Sequence, residues 1–459
     1  MKQGVGSSAP IAAQMPDASE WPPIAVVRET LANGLRVIMA ENRTVPLVFL
    51  SWTSQAGFES DPAGLEGIGS LTPLLLREGT GRQTAEQIAE TIDDLGADLV
   101  AGANWNAAFL NLELLSCDVA AGADLLIDMA CHAQFPEAAV NRFRQRRLAE
   151  LEGRRREPRA IANDAFARAV FGSAPYGRSP LGTSASVQRI DAAQVAAFHD
   201  AHYHPATSYV VVAGNFDTDV VTGRLGSFEL PAAFLPGPPL PLPFALGLEP
   251  PGGVRLVDIP RATQTEIRVG HAAVARDSHE LPALEVLNAI LGGGPASRLA
   301  RSVREGEGLT YHVRSRLAAR RLGGTLVVET SVANEATGAA LAAIRRELER
   351  LSEERVPAAD VEQAKRCLLG ADLRRFQDLF GTGATLGPAA LYGDPAYDFE
   401  RRKHAIAAVE PEALRELARR YLHPERLVAV VAGPIAALQS QLSSDAAHGC
   451  PLIPLEQTS

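Results

Sequence analysis

From Pro231 to Gly253 the chain reads PAAFLPGPPLPLPFALGLEPPGG, and its eight prolines remove backbone donors that a helix or a central strand would need. Such a stretch is an interdomain linker by composition. It divides the sequence into a loose leader at 1–23, a first half at 24–230, the linker at 231–253, a second half at 254–434 and a tail at 435–459. The halves, about 210 and about 190 residues long, each match the size of one domain.

The two halves carry the same order of signals. In the first, apolar and β-branched runs at Ile24 to Thr30, Leu35 to Ala40 and Leu47 to Thr53 predict three strands, the first two joined by Ala32-Asn33-Gly34. Thr84-Ala-Glu-Gln87 has the capping-box pattern, and Ile88, Ile92 and Leu95 follow at helical spacing before Gly96. Strands near Ala97 to Ala103 and Ala107 to Leu115 precede helical stretches at Asp118 to Cys131 and Glu137 to Glu157. In the second half, strands at Arg255 to Asp258 and Gln264 to His271 lead to Asp277-Ser-His-Glu280, a capping-box-like start before Leu281, Leu284, Leu287 and Leu291, with Gly292 as the stop. The ends mirror each other: Tyr209 to Gly214 follows Tyr203-His-Pro205, and Leu427 to Gly433 follows Tyr421-Leu-His-Pro424. Two copies of one unit account for this order. Because strands and helices come in blocks, the expected class is α+β: two homologous domains, each a mostly antiparallel sheet with helices packed on it.

Composition excludes other classes. A hydrophobic fraction of 46% supplies large cores, and the formal charge of −10 argues against nucleic acid as a partner. No apolar run is long enough for a membrane span. The four cysteines, Cys117, Cys131, Cys367 and Cys450, lie far apart and form no zinc-type pairs. Nothing in the chain fixes its compartment; cytoplasm is the default and periplasm stays open.

Three segments, GLEGIGSLTPLLLREGT at 64–80, YGRSPLGT at 176–183 and GGGPASRLARSVREGEGLTY at 292–311, resemble the pitrilysin/insulinase-type zinc peptidases, in the branch that holds mitochondrial processing peptidase and its bacterial relatives. The resemblance runs from about Val26 to Pro434. In that family the first segment is a helix with the motif H-x-x-E-H, which supplies two zinc ligands and a general base. Here Ser70, Pro73 and Leu74 stand at those places. A leucine has no lone pair, a serine hydroxyl is a poor zinc ligand, and a proline cannot act as base. Glu150, 76 residues beyond Leu74, falls where the resemblance implies the third ligand. One remaining carboxylate does not hold zinc, and by itself Glu150 reads as one charge on a solvated helix.

The family's second-half motif is kept, as Arg304 and Tyr311. The resemblance implies that such a pair acts on substrate held at the zinc of a partner. A guanidinium fork and a phenol O–H suit a carbonyl and the oxyanion that forms from it. The bland alternative is a surface ion pair and a strand-end tyrosine. The resemblance thus implies a non-zinc subunit of a heterodimeric metallopeptidase that binds no metal itself, pairs with a homologous zinc-bearing chain and takes peptide substrate. Two alternatives stay open: a purely structural assembly subunit, as the core subunits of the respiratory bc1 complex resemble the same family, and a peptide-binding protein without a catalytic role.

Other features read as structure. His199, His202 and His204 sit at a helix end rather than in a metal site. Gly292-Gly-Gly294 lacks a phosphate-loop pattern and ends a helix, with Ser297 as N-cap of the next. The eight arginines from Arg142 to Arg159 alternate with Glu150, Glu152 and Glu157, as on a salt-bridged helix face that could also dock a more acidic chain.

Overall fold

The computed structural model describes residues 25–228, 252–392, 399–422, 426–446 and 452–455. The leader lies outside them, as does the linker apart from its last two residues.

The β-branched runs of the first half form β1 (Val26–Thr30), β2 (Arg36–Glu41), β3 (Leu47–Ser54), β4 (Asp98–Ala103), β5 (Ala108–Leu115) and β6 (Ser208–Gly214). At the first turn Asn33 Oδ1 accepts from Leu35 N at 3.1 Å and Gly34 takes φ 83°, a left-handed value that glycine meets without strain. The second half forms β7 (Gly253–Asp258), β8 (Gln264–Ala273), β9 (Val313–Arg320), β10 (Gly323–Ala333), β11 (Val428–Gly433) and β12 (Leu452–Leu455). The first sheet runs β1-β2-β6-β3-β5-β4 and the second β12-β7-β11-β8-β10-β9. Five strands therefore follow one order twice. In both sheets the strand from the mirrored end of the half, β6 or β11, is inserted parallel to one neighbour and antiparallel to the other. The α+β duplication expected from the sequence is the observed architecture, and neither sheet closes.

Helices α1 (Ile68–Leu75), α2 (Ala85–Asp94), α3 (Val119–Cys131) and α4 (Glu137–Arg154) belong to the first half, and their apolar side chains join Trp52, Leu110, Leu112 and Val212 in one core. The cap of α2 forms as its sequence requires, with Thr84 Oγ1 accepting from Gln87 N and Gln87 Oε1 from Thr84 N. The corresponding start in the second half differs. The helix there is Leu281–Leu291 with no side-chain cap at Glu280, while Ser278 Oγ accepts from Glu280 N. The reason is Pro282: it has no N–H, so it is tolerated in a first turn but not one turn further in, where a cap at Asp277 would put it.

Each sheet is covered on its second face by a helix from the other half. Phe166, Val170 and Phe171 of α5 (Pro158–Phe171) pack on Val257, Val327, Val428 and Val430 of the second sheet. In return, Leu379, Leu386 and Leu391 of the helix Leu379–Tyr392 pack on Phe49, Tyr209 and Val211 of the first. A buried carboxylate ties the same seam: Glu59, 2% exposed, accepts from Tyr176 Oη at 2.7 Å and from Arg321 Nε at 2.9 Å.

The stretch after Pro434, read above as a tail, is folded where it is described. Ile435–Ala446 is a helix that buries Leu438 and Leu442, and β12 pairs in parallel with β7. Its apolar spacing, not its place near the end of the chain, decides this.

Candidate functional site

Two loops meet at the start of α1. Gly67 has φ 100°, and a Cβ there would stand 2.6 Å from the Leu181 carbonyl oxygen; at Gly182 a Cβ would stand 2.0 Å from that of Glu66. Only glycines allow this approach, and it brings the segments 64–80 and 176–183 together. Asp61 closes the end of the helix, its two carboxylate oxygens accepting from Gly67 N at 2.6 Å and Gly69 N at 2.8 Å.

On α1, Ser70 is buried, Pro73 is buried inside the helix and Leu74 is half-buried. Ser70 Oγ donates to the Gly67 carbonyl at 2.9 Å and accepts from Arg147 Nη1 at 2.6 Å. Arg147, on α4 and 6% exposed, in turn donates from Nε to Glu150 Oε2 at 3.1 Å. A guanidinium therefore lies between the places that the resemblance implies for the first and third zinc ligands. Burial lowers the Arg147 pKa against the pull of Glu150 and Asp61. These donors do not fit zinc: a hydroxyl already bonded to a cation, a leucine, and an exposed glutamate engaged by that same cation. Among the described residues no cluster of His, Cys, Asp and Glu is suited to a metal ion.

Sequence reasoning named Ser70 and Glu150 but missed Arg147. Its signal was local, since it stands three residues before Glu150 and hence on the same helix face. Asp61 gave no such signal, because its partners are backbone groups.

Burial pushes the Asp61 carboxyl up to about 7, against the two N–H donors that pull it down. Its folded value lies above the unfolded one of 3.8, so it favours the fold fully at acid pH and loses that contribution as pH rises toward 7. Compared with the parent chain, Asp61→Asn is therefore expected to gain about 3 kcal/mol in relative stability between pH 5 and pH 8. Urea unfolding of both proteins at each pH measures this; a pH-independent difference contradicts it.

In the second half, Gly292 and Gly293 end the helix Leu281–Leu291, both N–H groups meeting the Asn288 carbonyl. Ser297 stands at the next N-cap position, but its hydroxyl has no hydrogen-bond partner among the described residues, so the expected side-chain cap does not form. A cavity of ≈ 130 Å³ opens below this loop, lined by Gly293, Gly294, Ser297 and Cys367. The chain then enters a π-helical stretch, Ala300–Gly306, which carries Arg304. Such wide turns are local departures from regular helix that recur at functional sites. Arg304 Nη2 donates to Glu305 Oε1 at 2.7 Å and to the Pro295 carbonyl at 3.3 Å. Tyr311, just before β9, is 97% exposed. No hydrogen bond joins the two side chains among the described residues.

The histidines serve packing. His199 Nε2 meets the Ala130 carbonyl at 2.9 Å and its ring stacks on Tyr203, while His202 Nδ1 meets the Gln55 carbonyl at 3.1 Å. The arginine run is laced to carboxylates, with Arg142 paired to Glu78, Arg154 to Asp164 and Arg156 to Glu152.

Fold and site together define a duplicated α+β chain whose helix α1 presents Ser70, Pro73 and Leu74 and no imidazole or carboxylate. Residues 36–184 match the model of the Insulinase (Peptidase family M16) domain, and residues 189–368 that of the Peptidase M16 inactive domain. The chain belongs to the insulinase, or M16, peptidase family. It is 28% identical over 433 residues to a protein of Streptomyces coelicolor called an uncharacterized zinc protease, covering 92% of each. Its fold matches the crystal structure of a peptidase M16 inactive domain from Pseudomonas fluorescens with a TM-score of 0.82 at 24% identity, over 89% of this chain and 98% of that one. A chain of Complex III2 from Candida albicans has a TM-score of 0.75 at 17% identity, over 90% and 97%. No described helix is long and apolar enough to cross a membrane.

Proposed function

We propose that this chain is the non-zinc subunit of a two-chain metallopeptidase. A homologous partner with an intact H-x-x-E-H motif holds the zinc and the attacking water. This chain contributes Arg304 and Tyr311, whose donors face the substrate carbonyl and the negative charge that grows on it. The observation that supports the reading is the Arg147 guanidinium, hydrogen-bonded to Ser70 and Glu150, the positions at which the resemblance implies the first and third zinc ligands. An internal cation there satisfies the residues that remain and leaves no open position for water. The half-exposed Arg304 and exposed Tyr311 are accessible to a second chain. Peptide would add along a free sheet edge, β4 or β9, through main-chain bonds that tolerate many sequences.

The fold likeness to a chain of Complex III2 favours a second reading, a purely structural subunit. The two separate in one experiment. Co-expression with a zinc-bearing homologue yields a pair that hydrolyses peptides, while the isolated chain does not; a pair no more active than the partner alone supports the structural reading.

A further inference from the structure

The seam between the halves holds a cleft of ≈ 180 Å³, below the size usual for drug-sized ligands and suited to a small one. Arg154, Arg178 and Asp164 reach it from the first half, and Arg268, Arg316, Arg320 and Glu329 from the second. Five guanidiniums against two carboxylates leave an excess of three positive charges on the wall.

The carboxylates are already engaged. Asp164 accepts from Arg154 Nη2 at 2.9 Å, and Glu329 from Arg314 Nη2 at 2.8 Å and from Arg316. Arg268 is held by Asn163 at 2.7 Å and by Glu266 at 2.9 Å. Arg178 is held loosely, by the Asp61 carbonyl at 3.4 Å and by Glu66 at 3.9 Å.

Arg320 differs from the other four. Its guanidinium lies 4.3 Å from the Trp105 ring centroid and 4.9 Å from that of Tyr176, so aromatic faces fix it in place of an anion. Its Nη1 is buried and has no hydrogen-bond partner among the described residues, and none of their carboxylates forms an ion pair with it. Burial also lowers the Arg320 pKa to about 10, helped by the charge of Arg316 and opposed by Tyr176 and Glu59.

We propose that this cleft binds a small oxyanion, of phosphate or short-dicarboxylate size, through Arg320 with Arg316 and Arg178. A guanidinium fork suits two oxygens of one anion, and the aromatic rings hold the fork ready before the anion arrives. Because the wall draws on both halves, the anion bridges them, and its binding stabilises the whole chain. The site is independent of the peptidase reading, since none of these residues is Arg304, Tyr311 or part of α1.

The test is isothermal titration of the full chain at constant ionic strength with inorganic phosphate in one arm and succinate in the other, read alongside Trp105 fluorescence. Saturable binding in either arm is expected, and the arm that binds identifies the oxyanion as phosphoryl or carboxylate. Arg320→Met is expected to weaken binding about tenfold or more, the loss of one charge-assisted bond. Should Arg320→Met fail to fold, Arg316→Gln, whose side chain is 51% exposed, is expected to weaken binding severalfold. No binding in either arm, or binding that the folded variants retain within twofold, overturns the proposal.

Discussion

In a pair with a zinc-bearing homologue, Arg304→Ala lowers kcat/KM for peptide hydrolysis by about a hundredfold, the usual cost of one oxyanion donor. The structure makes this a clean test. Among the described residues Arg304 is tied to its neighbour Glu305 and to the Pro295 carbonyl, at a site about one-third exposed. A surface pair of that kind contributes less than about 1 kcal/mol to folding, so the variant stays folded and pairs normally. Tyr311→Phe removes one O–H from a side chain that is 97% exposed and lowers the rate by about tenfold. Both effects fall on kcat more than on KM if the donors act on charge that grows only in the transition state. Activity within twofold of the unmodified pair assigns Arg304 to the surface and removes it from the proposed donor role.

The second large effect is on stability. Arg147→Ala is expected to cost about 3 kcal/mol, measured as a lower urea midpoint with an unchanged slope. The change strips Ser70 of its 2.6 Å donor, removes a positive charge near buried Asp61 and leaves a void beneath the stem of a residue only 6% exposed. Glu150→Gln, by contrast, is expected to cost less than about 1 kcal/mol, because that carboxylate is half in solvent. If the two variants are equally mild, Arg147 is not the post that holds α1 to α4, and the picture of a cation standing in for the metal loses its support.

What was legible in the sequence was short-range or periodic. The Thr84–Gln87 box, the Asn33-Gly34 turn and the repeated strand endings at Gly214 and Gly433 all depend on residues close in sequence, and each took its expected form. Two local expectations failed for local reasons: Pro282 moved the helix start to Leu281, and Ser297 reached the N-cap position without its hydroxyl finding a backbone N–H. What stayed hidden joins distant segments. Arg147 meets Ser70 across 77 positions, Glu59 meets Arg321 across 262, and α5 crosses to the sheet of the other half. No spacing rule reports such pairs, because only the finished topology brings them together. Of the candidate site, the residue types at Ser70, Pro73 and Leu74 were readable one by one; the Arg147 side chain that bonds Ser70 was not.

The central claim is a division of labour between two chains, and one measurement bears on it most directly. A fluorogenic peptide is offered to the reconstituted pair, to the partner alone and to this chain alone, with zinc counted in each sample. The account predicts turnover by the pair well above the sum of its parts, and zinc bound by the partner but not by this chain. One zinc per molecule of the isolated chain, together with peptide cleavage by it, would contradict the account.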